Sequence, residues 1–141
     1  MQRVTGNSIR LGPTQILEAA CAARDLARVE EAMLTVMRAG RSDPQDAELL
    51  STAAKVVWDI VCDSGTVDER ERARLTIRRA VQWRVEAGNH EGAYSLAHIT
   101  GDRVTLEDVL VGAARDRKHN PSAARVMAVV QERLEECRTE G

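Results

Sequence analysis

Apolar residues recur along this chain at steps of three and four, and no segment alternates with the two-residue period of a strand. In the third run Leu50, Ala53, Ala54, Val57, Ile60 and Val61 form one stripe, which Leu49, Val56 and Trp58 broaden, so the pattern predicts a helix with neighbours on more than one side. In the last run Ala123, Met127, Val130, Leu134 and Cys137 make one packed seam, with Glu132, Arg133 and Glu136 on a charged back. Gly40, Gly65, Gly88 and Gly101 each follow such a run, where a residue free to take positive φ closes a helix. Start signals come at once. Asp43 precedes Pro44, Glu69 follows Thr66, Asn89 opens a new run, Asp108 follows Thr105, and Asn120 precedes Pro121. Such side chains accept from the free N–H groups of a first turn, and proline is tolerated there because its missing donor has no partner anyway. The predicted helices cover 14–24, 26–39, 44–63, 67–87, 90–100, 105–117 and 121–138, with residues 1–12 as a flexible arm and 13–138 as one domain. The expected fold is all-α, about seven helices in antiparallel αα-hairpins, either stacked as a solenoid or closed as a compact bundle.

Composition narrows how such helices pack. The chain has 141 residues with no Phe, one Tyr and two Trp, so its core must be built from Ala, Val, Leu, Ile and Met, which favours close helix contacts. A net charge of −2 argues against general affinity for polyanions. All but two of the 20 basic residues are Arg, a bias that hints at a GC-rich, bacterial source. Cys21, Cys62 and Cys137 are odd in number and far apart, which speaks against a disulfide framework or zinc site and for a reducing compartment. The first residues carry no apolar signal region, and no run reaches membrane-spanning length, so a cytoplasmic location is expected.

Two segments share a longer frame. Ile16, Ala19, Ala20, Ala23, Ala32, Val36 and Pro44 have the spacing of the tetratricopeptide pattern, and Ile77, Ala80, Val81, Gly88, Ala93 and Ala97 fall on a similar one. Ala32, Ala93 and Ala124 lie close to whole repeat lengths apart. About half the chain thus resembles a degenerate tetratricopeptide-like array; the large aromatic signature residues are missing, and residues 45–66 break the frame. The resemblance implies stacked helical hairpins with a face left for a partner segment.

Catalytic signatures are absent: the chain has no nucleophile elbow, phosphate loop, zinc-protease motif or calcium loop. His90, Tyr94 and His98 share a helix face, but the two histidines are about 12 Å apart along the axis at ~1.5 Å per residue, too far to bind one metal. They read as a structural face. Cys62 has no basic group beside it to make a reactive thiolate. No catalytic residue, cofactor or metal is expected.

The segment "VDERERARLTIRRAVQWRVEAG" is the most informative. Ile77, Ala80, Val81 and Val85 form its apolar stripe, Arg70, Arg74 and Arg84 prolong that stripe, and Leu75 and Trp83 point almost the opposite way. Either the arginines pair with carboxylates on adjacent helices, or Arg70, Arg74, Arg78, Trp83 and Arg84 form a surface for carboxylates or phosphates, which guanidinium forks grip bidentately. The expected function is a non-catalytic interaction module, adaptor or chaperone-like, that holds a protein or peptide segment. A nucleic-acid-binding regulator using the Arg-rich helix 67–87 is the alternative, weakened by the interleaved Glu69, Glu71 and Glu86.

Overall fold

The computed structural model describes residues 12–39 and 44–140, and the described chain is helical with no strand. Seven helices follow in order: α1 (Pro13–Ala23), α2 (Leu26–Arg38), α3 (Pro44–Ser64), α4 (Val67–Glu86), α5 (His90–Thr100), α6 (Arg103–Asp116) and α7 (Pro121–Glu140). Gly40, Asp43, the side chain of Cys137 and most of the N-terminal arm lie outside the described residues.

The turns work largely as the punctuation implies. Gly88 and Gly101 take positive φ, at 80° and 68°, and end α4 and α5. At Gly65 a Cβ would run into the backbone of Val61, so the turn after α3 needs the absence of a side chain more than any special φ. Asn89 accepts from the Gly92 N–H at 3.0 Å, and Thr66 and Glu69 form a reciprocal capping box. The turn between α1 and α2 has no glycine. Arg24 adopts the left-handed conformation there, and Asp25 caps α2 by accepting from the Arg28 N–H. One start signal is displaced. Helix α6 begins at Arg103 behind Asp102, so Thr105 is a buried residue of its first turn and not its cap, while Asp108 is committed to a contact with α4. Because Gly101 stops α5 with a left-handed residue, the chain can restart immediately.

Every helix packs against the next and the next but one, and, among the described residues, against none further along. Small side chains permit this closeness: Ala53, Ala54, Ala73, Ala80, Ala93, Ala97, Ala113 and Ala123 are excluded from solvent among Leu17, Met33, Leu50, Ile77, Leu96 and Leu106. On α6 a Cβ at Gly112 would collide with the side chain of Val85, so α4 and α6 meet through that glycine. The Asn120 amide donates to the Gly88 carbonyl at 3.2 Å, tying the turn before α7 to the turn before α5.

Burial separates the two copies of the sequence frame. Ile77, Ala80, Val81, Ala93 and Ala97 are all buried. In the first copy Ala20, Ala32 and Val36 are buried, but Ile16, Ala19 and Ala23 are exposed, and Leu17 takes the inward place beside Ala20. The third member of the alanine series, Ala124, is exposed as well, with Ala123 inside. Among the described residues, helix α1 has neighbours only in α2 and α3, so one of its flanks meets no other described helix.

Candidate functional site

Helix α4 packs on α2, α3, α5 and α6, and its arginines divide by what they meet. Near its start the Arg70 guanidinium donates to the Gly65 carbonyl at 2.9 Å and closes the preceding turn. Arg74 lies 2.8 Å from Glu71 and 3.4 Å from Asp102, with its guanidinium 5.2 Å from the centre of the Trp58 ring. It thereby joins α3, α4 and the turn before α6. Burial raises the pKa of Asp102, and the charge of Arg74 opposes that rise. Arg78 makes a two-pronged pair with Asp108, Nε donating at 2.7 Å and Nη2 at 3.3 Å. Arg72, which the sequence pattern left unremarked, donates to Glu30 at 3.1 Å and fastens α4 to α2.

Arg84 differs from all of these. It is 2% exposed, its Nη2 reaches only the Ser51 hydroxyl at 3.4 Å, and its Nε has no partner. Another nitrogen of the guanidinium packs against Gly92, where any side chain would occupy its place. Burial with no carboxylate in reach lowers its pKa to about 10, so it remains charged at neutral pH. It sits beside the first turn of α5, whose amide dipoles present a positive end.

Trp83 opens onto a groove. The space, about 270 Å³, lies between α2 and α4 and is lined by Leu34, Met37, Arg38, Arg79, Gln82, Trp83 and Glu86. Leu34, Met37 and Trp83 are half-buried and make its floor; Arg38 and Arg79 are exposed at its lips and, among the described residues, form no ion pair. Sequence reasoning missed Arg38 and Arg79. A signal existed: Arg79, Gln82, Trp83 and Glu86 recur at steps of three, one and three along one face of α4, as Leu34, Met37 and Arg38 do along α2.

The sequence also singled out His90, Tyr94, His98 and Cys62. His90 is buried, with Nε2 2.8 Å from Asp116, whose pKa is pulled down to about 2 by its hydrogen bonds from Arg115 and His90. The rings of Tyr94 and His98 meet at a tilt of 41° with their centres 5.8 Å apart. Cys62 is exposed and free, and burial pushes the Cys21 thiol up. Among the described residues no cluster of His, Cys, Asp and Glu is placed to hold a metal, and no helix is long and apolar enough to cross a membrane. Comparison of the chain with protein-family models, curated proteins and solved structures finds no match.

Proposed function

We propose that this chain is a non-catalytic interaction module, a tetratricopeptide-like row of helical hairpins that holds a segment of a partner protein between α2 and α4. Support for the row comes from the packing order, since helices that touch only the next and the next but one are what stacked hairpins produce. The function rests on one observation: two exposed arginines without carboxylates, Arg38 and Arg79, flank a half-open floor of Leu34, Met37 and Trp83. A segment that fits lays an apolar side chain against Trp83 and offers carboxylates to the two guanidinium forks, while Glu86 repels acidic residues at its end of the groove and sets the segment's direction. Arg70, Arg74 and Arg78 serve the scaffold in this scheme, holding α4 in place through their internal acceptors. Arg84, enclosed, serves it too.

Selection of peptides from a displayed library on the wild-type chain and on variants tests this. The wild type should enrich segments with acidic residues around one large apolar residue. Trp83→Ala should weaken the selected peptides by ~2 kcal/mol or more, and Arg38→Glu with Arg79→Glu should reverse the charge preference with helicity unchanged. Selection of nothing by the wild type, or of the same peptides by all three proteins, would remove the basis for this function; steep salt-dependent capture of RNA or DNA instead would replace it with the nucleic-acid alternative.

A further inference from the structure

The outer flank of the α1–α2 hairpin carries a second groove, of about 460 Å³, and no residue of α3–α7 borders it. Ile16, 45% exposed, and the exposed Ala19 and Ala23 line one side, with the small side chains of Ala20 and Ala32 at its base. Arg28 and Glu31 stand along the α2 side. Among the described residues nothing covers this slot, and it is unrelated to the α2–α4 groove, with which it shares no residue.

The far end of the helix row is built differently. Helix α7 exposes Val129 and two alanines, Ala124 and Ala128, but sets beside them the charged and polar Arg125, Gln131, Glu132, Glu135 and Glu136, and its Arg133 is engaged with Glu136 at 3.0 Å. Joining copies head to tail would press that charged face into an apolar slot, at the cost of desolvating its charges. Joining two like ends brings apolar surface to apolar surface, and such a contact closes on itself as a dimer with no free ends.

The rim charges fit a two-fold contact. Arg28 is highly exposed, with only a local pair to Asp25 at 3.5 Å, and Glu31, one helical turn further along α2, has no ion pair at all. With the two-fold axis perpendicular to α2, that helix runs in the opposite direction in the second copy. Each Arg28 then faces the Glu31 of the partner copy, and the favourable contact occurs twice. We infer that two copies of this chain pair through their α1–α2 grooves, with Ile16 of each seated in the groove of the other and Arg28 and Glu31 matched across the rim.

Sedimentation equilibrium of the full chain across the micromolar range tests the pairing. The wild type should show a monomer–dimer equilibrium. Ile16→Glu and Ala19→Arg, both at exposed positions, should give monomers whose circular dichroism matches the parent. Arg28→Glu or Glu31→Arg alone places like charges together twice and should weaken the dimer about tenfold. Mixing those two single variants restores both opposite-charge contacts, so the mixture should recover the wild-type affinity. A wild type that stays monomeric, a dimer indifferent to Ile16→Glu, or a mixture no tighter than its components overturns the inference. A monomeric wild type whose melting temperature falls with Ile16→Glu also overturns it, since the groove is then filled from within the chain.

Discussion

The α1–α2 and α4–α5 helix pairs carry closely similar spacings of small and apolar residues, yet they live in different surroundings. In α4–α5 those residues are enclosed, because α2, α3, α6 and α7 supply neighbours on both sides of the pair. In α1–α2 half of the frame looks outward, since α3 and α4 cover only one flank. Their turns differ too: Gly88 reverses the chain at no steric cost, whereas Arg24 takes the same left-handed region with a side chain attached. A pattern of small residues marks positions suited to close contact; whether contact occurs depends on which helix arrives.

That contrast can be broken by substitution. The largest effect should come from Ala93→Leu, which forces three more carbons into an enclosed contact and should cost ~1–3 kcal/mol in chemical denaturation. Ala19→Leu, its counterpart on the open flank, should shift stability by less than ~0.5 kcal/mol. Equal losses at both sites would mean that the two hairpins are equally enclosed.

Next in size are the turn residues. Gly88→Ala meets no atom within 4 Å, so its penalty is purely that of a left-handed backbone, ~1–2 kcal/mol. Arg24→Gly relieves the same strain and, after the entropy that glycine loses on folding, should gain ~0.5–1 kcal/mol. A loss at Arg24 would show that its side chain contributes more than its backbone costs.

Arg84→Met should be neutral or raise stability by ~1 kcal/mol, because a flexible apolar chain of similar length keeps the packing against Gly92 and removes a desolvated charge that has no counter-charge. A fall of melting temperature with this variant would show that the guanidinium has an acceptor that its single Ser51 contact does not account for.

The smallest effect is one of pH. Asp116 has its pKa depressed in the folded chain, to about 2, so its bonds from Arg115 and His90 stabilise fully above the unfolded carboxyl's pKa near ~4. That contribution should fade as pH falls from ~4 toward 2. Asp116→Asn should flatten this part of a melting-temperature profile against pH, and an unaltered acid limb would place the sensitivity elsewhere.

The helices were legible because their ends are written locally: Gly88, Gly101, the Thr66–Glu69 box and Asn89 act within one turn of themselves. The stripe of α3 and the seam of α7 were legible for the same reason, as helical periodicity is a local property. What the sequence could not show was long-range pairing. Nothing in the spacing of Arg78 and Asp108, or of Arg72 and Glu30, announces that they meet, so the sequence left open whether the arginines of α4 pair internally or form a surface, and most are internal fasteners. The α2–α4 groove was hidden for the same reason: its lips, Arg38 and Arg79, belong to helices that are not consecutive.

The packing order has a consequence for how the chain comes apart. Because, among the described residues, no helix contacts another beyond its second neighbour, the loops to be closed in folding are short, and such low contact order goes with rapid folding. Opening need not be all or none either. The middle helices are held from both directions and the terminal ones from one, so amide protons of α1 and α7 should exchange sooner than those of α4, in a gradient running from the middle helices to the terminal ones.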